Sequence, residues 1–165
     1  MNYAEIKKLD VANTKGISCT LFVSGCTHKC KGCFNKVAQN FDYGDKWTVD
    51  VENKFIDYCK NPNVNNVAIL GGEPFQQSYS EMLNLFKRLK NEVNKPIWVW
   101  SGYTLGQLLM NEYSKELLYY IDVLIDGKFE EDKKDLTLKH RGSSNQRVID
   151  IKESLKNNKV VLING

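Results

Sequence analysis

Residues 17–35 read ISCTLFVSGCTHKCKGCFN, an apolar run that breaks at Gly25 into three cysteines, Cys26, Cys30 and Cys33, spaced C-x-x-x-C-x-x-C. The β-branched and aromatic residues of 17–24, halted by glycine, predict a strand. Further β-rich runs fall at 66–70, 97–100, 122–126, 147–151 and 160–163. Helical patterns lie between several of them. Residues 48–58 open on Thr48 and carry Val51, Phe55 and Tyr58; residues 78–93 open on Ser78 and carry Met82, Leu85, Phe86 and Leu89. Residues 105–120 also read as helical, with a break near Ser114.

Strands alternating with helices predict parallel βαβ units and an α/β fold. A closed eight-stranded barrel needs about 250 residues, more than the 165 present. The expectation is a partial, open (β/α) barrel of about six mostly parallel strands, although a flat doubly wound sheet would satisfy the same spacing. No linker or repeat divides the chain, so residues 1–165 are expected to form one domain. The charged, turn-rich stretch 128–144 reads as a functional loop.

Lys and Arg exceed Asp and Glu by only three and are spread along the chain, which gives no footprint for nucleic acid. No apolar run is long enough to cross a membrane, and MNYAEIKKLD lacks a secretory stretch. A cytoplasmic protein is expected, and there clustered cysteines bind metal more often than they pair as disulfides. Cys19 and Cys59 stand apart among apolar residues and read as small core side chains.

Three thiolates can hold three irons of a 4Fe-4S cube, leaving the fourth iron open to a ligand. The competing reading is structural zinc, with His28 or a remote residue as fourth ligand, yet zinc ligands usually come as two separated pairs and no second CxxC or HxxxH is present. Each later strand also ends in residues suited to a ligand site. Residues 66–70 run into Gly71-Gly72-Glu73-Pro74, where two glycines allow close backbone approach to a ligand and proline removes a donor. Residues 97–100 run into Ser101-Gly102-Tyr103-Thr104, and 122–126 into Asp126-Gly127-Lys128. In a parallel sheet all of these emerge on the cysteine edge.

On these residues the chain resembles the radical S-adenosylmethionine enzymes. GCTHKCKGCFN is similar to the variant found in small activases, with aromatic Phe34 just after the third cysteine, and GGEP matches that superfamily's motif. With WSGYT and the RGSSNQR of residues 141–147, the likeness extends over nearly the whole chain to the activases of anaerobic, class III ribonucleotide reductases. The resemblance implies a 4Fe-4S cluster on the triad and S-adenosylmethionine as second cofactor, bound through Phe34, Gly71, Gly72, Glu73, Pro74, Ser101, Gly102, Asp126 and Lys128. Either Arg141 or Arg147 would take the methionine carboxylate, which arginine suits. Also implied are reductive cleavage to a deoxyadenosyl radical and transfer of that radical to a glycine of the reductase large subunit. An external one-electron donor follows, and a homodimer is allowed. The rival readings are a radical enzyme acting on a small molecule or on another glycyl-radical protein and, further off, a zinc-binding module.

Overall fold

The computed structural model describes residues 1–163. Its centre is a seven-stranded open sheet in the order β3-β1-β2-β4-β5-β6-β7. The strands are β1 (Asn2–Asp10), β2 (Ser18–Ser24), β3 (Asp45–Lys46), β4 (Asn66–Gly71), β5 (Ile97–Trp100), β6 (Val123–Asp126) and β7 (Arg147–Asp150). Helices are α1 (Val49–Cys59), α2 (Tyr79–Arg88), α3 (Leu105–Leu109), α4 (Glu112–Leu118) and α5 (Ile151–Asn157).

Only β2, β4, β5 and β6 run parallel to one another. The sheet is thus mixed, with seven strands, rather than about six mostly parallel ones. β1 joins β2 antiparallel and carries β3, and β7 joins β6 antiparallel. The last reversal has a simple cause: a parallel neighbour needs a crossover, usually helical, and the chain between β6 and β7 holds only a short 3₁₀ turn at Glu131–Lys133.

Period two sorts the strand residues onto two faces. Cys19, Leu21 and Val23 of β2, Val67 and Ile69 of β4, Ile97 and Val99 of β5 and Leu124 of β6 form one core with helix residues such as Phe55, Met82, Phe86, Leu108 and Leu118. The opposite face carries a small cluster of Trp98, Val123, Ile125 and Val148, with no helix residue among its members. All five helices contribute to the first face. A doubly wound fold would cover both.

Helix boundaries follow capping chemistry. Thr48, Ser78, Thr104, Asn111 and Asp150 cap α1 to α5 by accepting from backbone N–H groups of the first turn. The expected helix 105–120 breaks at Met110–Asn111, not at Ser114, because the Asn111 side chain accepts from the N–H groups of Tyr113 and Ser114 and starts a new helix. Ser114 donates its hydroxyl to the carbonyl of Leu108 at 2.5 Å and seals that joint. The expected strand 160–163 is reduced to a single bridge, Ile149 to Leu162. Among the described residues no helix is long and apolar enough to cross a membrane.

Candidate active site

The carboxyl ends of β2, β4, β5 and β6 lie on one edge and lead respectively to Gly25-Cys26, Gly71-Gly72, Ser101-Gly102 and Gly127. There they surround a cavity of about 520 Å³, within the range of small-molecule sites. Cys26, Cys30, Cys33, Phe34, Gly71, Gly72, Glu73, Ser101, Gly102 and Arg141 line it together. Pro74, Asp126, Lys128 and Arg147 are not in its wall.

The cysteine loop is held by backbone bonds across strand ends. Gly25 N–H donates to Ala38 O at 2.6 Å, Cys26 N–H to Gln39 O at 3.1 Å and Cys33 N–H to Cys30 O at 3.1 Å. The double glycine makes room for backbone as well as for a ligand. Gly72 N–H donates to Val23 O at 2.7 Å and Glu73 N–H to Gly25 O at 2.8 Å. A Cβ at Gly72 would stand 2.5 Å from Gly25 O and 2.9 Å from Ala38 O. Gly72 therefore admits the cysteine loop's own backbone, while Gly71 adopts φ +107°, which glycine reaches without strain.

Burial pushes the thiols of Cys26 and Cys30 up from their ordinary values, and Cys33 close by adds to it. Against this, the backbone N–H of His28 acts on Cys26, and that of Phe129, helped by the Lys128 ammonium, on Cys30. Cys33 accepts from Asn35 N–H at 3.4 Å. Half-buried thiols of this kind give up their protons when a metal binds and its charge offsets the repulsion between the thiolates. Among the described residues no three His, Cys, Asp or Glu side chains gather as the ligands of one ion do; the thiols instead stand around a cavity whose wall also carries Lys7, Lys29 and Arg141. Soft sulfur donors at the corners of a roomy, cation-lined cavity fit an anionic iron-sulfur cluster.

Glu73 is 1% exposed and its carboxylate is engaged by the chain itself. It accepts from Ser101 Oγ at 2.9 and 3.0 Å, Gly102 N–H at 2.7 Å, Phe75 N–H at 3.0 Å and His28 Nε2 at 2.7 Å. Asp126 and Arg147 are likewise turned on each other. They face one another across the β6–β7 pairing, with Arg147 Nε to Asp126 Oδ1 at 2.9 Å and Nη2 to Oδ2 at 2.6 Å. Asp126 also accepts from Leu105 N–H at 2.8 Å, tying β6 to the start of α3. Lys128 is exposed beside Cys30. Arg141 rests Nη1 on the carbonyls of Gln146 at 2.5 Å and Ser144 at 3.3 Å.

Several lining residues escaped sequence reasoning. His140, in the left-handed region at φ +67°, lines the cavity and ties its loop to β5 and to Asn13. Its carbonyl accepts from Trp100 Nε1 at 2.7 Å, its Nδ1 donates to Asn13 O at 2.9 Å, and its ring meets Trp98 edge-on at 4.9 Å. Gln146 accepts from Gly142 and Ser143 N–H groups and donates to Gly127 O, shaping the loop that bears Arg141. Only the run of turn-forming polar residues at 141–147 hinted at these bonds.

Comparison with known proteins gives this geometry a context. Residues 12–149 match the family model described as a 4Fe-4S single cluster domain. The chain is 42% identical over 150 residues to the anaerobic ribonucleoside-triphosphate reductase-activating protein of Pasteurella multocida, covering 88% of this chain and 95% of that one. It is 40% identical over 152 residues to the protein of that name from Escherichia coli K12, with 90% and 97% covered. The counterpart from bacteriophage T4 is 36% identical over 152 residues, with 90% and 93% covered.

Proposed function

From the premise that the chain belongs to the 4Fe-4S single-cluster family of anaerobic ribonucleoside-triphosphate reductase-activating proteins, we propose that it installs the glycyl radical of that reductase. The observation that carries the reading is the meeting of Cys26, Cys30 and Cys33 in one cavity with Arg141 and the glycine-rich ends of β4 and β5. Cys26, Cys30 and Cys33 would hold a 4Fe-4S cluster, three thiolates leaving one iron for S-adenosylmethionine. Such a cluster would supply, from an external one-electron donor, the electron for reductive cleavage of S-adenosylmethionine, the chemistry by which a hydrogen atom would be taken from the target glycine.

The chain's own residues bind and orient. Arg141, whose guanidinium keeps donors beyond the two bonds that Nη1 gives to loop carbonyls, pairs with the methionine carboxylate. Gly71, Gly72, Ser101 and Gly102 form the wall beside it, and Phe34, packed against Phe129 at 4.8 Å, covers the triad. Glu73 and Pro74 fix the β4 turn, and Asp126 with Arg147 locks the β6–β7 seam. Lys128 moderates charge at Cys30 from outside the wall. One domain with helices on a single sheet face is read as a partial, open (β/α) barrel, whose cavity at the carboxyl ends of the parallel strands would receive a glycine-bearing loop. An external one-electron donor, a cytoplasmic setting and a homodimer complete the reading.

Anaerobic incubation with S-adenosylmethionine, a reductant and the reductase tests it. Deoxyadenosine should form in step with a glycyl radical signal on the reductase. Sustained turnover that ignores the reductase would instead favour a small-molecule substrate.

A further inference from the structure

We infer that His28 is the positioning residue of the cysteine loop, acting through Glu73 to fix the stretch between Cys26 and Cys30; the meaning of that placement rests on the function proposed above. His28 Nε2 lies 2.7 Å from Glu73 Oε1, with the two side chains 7% and 1% exposed. A carboxylate only accepts, so the imidazole donates here. The partner is rigid before His28 arrives, because Ser101 Oγ and the N–H groups of Gly102 and Phe75 already hold the carboxylate.

The ring is also seated sterically. A Cβ on Gly102 would stand 2.5 Å from His28 Cδ2, so the ring lies against bare backbone there. Tyr103 meets the same ring edge-on at 4.6 Å. One imidazole thus ties the loop after β2 to the ends of both β4 and β5.

Among the described residues, His28 is the buried side-chain anchor of this stretch. Before it, Thr27 is exposed and tied to Gln76 through its N–H and its hydroxyl, both at 2.8 Å; after it, Lys29, Lys31 and Gly32 are exposed, and the ion pair from Lys31 to Glu131 spans 3.8 Å between water-facing groups. Lys29 sits at φ +51°, a left-handed conformation that a non-glycine residue keeps only where its surroundings impose it. His28 is the buried fixture immediately before it, and its backbone N–H is the one that acts on Cys26. Supporting contacts of this kind orient ligands and tune the centre they hold.

The test compares wild-type protein with His28→Ala, His28→Gln and Gly102→Ala, all as the full chain. His28→Gln restores an N–H donor at about the reach of Nε2, and Gly102→Ala displaces the ring while leaving His28 in place. Amide exchange in residues 26–33, measured before cluster reconstitution, should accelerate about tenfold or more in His28→Ala, the scale of a lost hydrogen bond to a charged acceptor. Gly102→Ala should do the same, and His28→Gln should recover most of the protection. After reconstitution, His28→Ala should shift the reduction potential and lose iron to a chelator several-fold faster, again with recovery in His28→Gln. Wild-type exchange and potential in His28→Ala would overturn the inference, as would equal loosening in His28→Ala and His28→Gln, which would reduce the ring to filler. A wild-type chain that assembles no cluster would sink the proposed function and leave the exchange comparison to decide the positioning role alone.

Discussion

Replacing Gly72 by alanine separates two reasons for the double glycine after β4. If glycine is needed for a ligand to come close, a methyl group there should weaken ligand binding and leave the empty protein intact. The geometry says otherwise: a Cβ would meet Gly25 O at 2.5 Å, Gly25 N at 2.8 Å and Ala38 O at 2.9 Å. All three are backbone atoms, which cannot swing aside as a side-chain tip can. Overpacking of this sort costs about 1–3 kcal/mol. Parting the loops also strains the bonds from Gly72 N–H to Val23 O and Glu73 N–H to Gly25 O, each worth about 1 kcal/mol. The expected loss is about 2–4 kcal/mol in the metal-free chain. With a urea m-value of about 2 kcal/mol/M, the unfolding midpoint should fall by about 1–2 M. A shift below about 0.3 M would refute the backbone-clearance argument.

A control lies close by: in α3, nothing nearer than Thr104 Oγ1 at 3.9 Å faces a Cβ on Gly106, so Gly106→Ala should raise stability by about 0.5–1 kcal/mol. A loss in the same urea titration would count against the open space seen there. Arg147→Ala should lower stability by about 1–3 kcal/mol by leaving the buried Asp126 carboxylate without its ion pair. Arg141→Ala should change stability by less than about 1 kcal/mol yet weaken S-adenosylmethionine binding about tenfold or more; equilibrium dialysis showing the reverse pattern would reassign the two arginines. At Asp10, burial favours the neutral acid, but hydrogen bonds from Ala12 N–H, Asn13 and Thr20 outweigh it and hold the carboxyl below its ordinary value. Its stabilising effect is therefore full above about pH 4 and lost as pH falls through the depressed pKa. Asp10→Asn should flatten that part of the acid denaturation curve, and an unchanged acid slope would remove Asp10 as its source.

The central parallel strands were legible because burial on both faces leaves near-continuous apolar runs such as VAIL and IWVW. β1 was not, since the exposed Glu5, Lys7, Lys8 and Leu9 break any regular alternation, and only Tyr3 and Ile6, both partly buried, pack on the core while the ladder to β2 holds the strand. α5 was hidden by the alternation of Val148 and Ile149 with Asp150 and Ile151, which reads as strand until the Asp150 side chain is seen to cap a helix. At the site, the cysteines announced themselves because their spacing is local. Asp126 and Arg147 could not be paired from sequence, because their meeting depends on the register of β6 against β7. Nor could Glu73 be recognised as a buried hub, since its partners come from three loops far apart in the chain.

On the proposed function, Cys26, Cys30 and Cys33 hold a 4Fe-4S cluster whose remaining iron is free for S-adenosylmethionine. Electron paramagnetic resonance of the anaerobically reconstituted, reduced protein, titrated with S-adenosylmethionine, addresses it most directly. A cluster signal is expected whose g-values move as the ligand is added and stop moving at one equivalent per cluster. A signal unchanged at saturating ligand would contradict it.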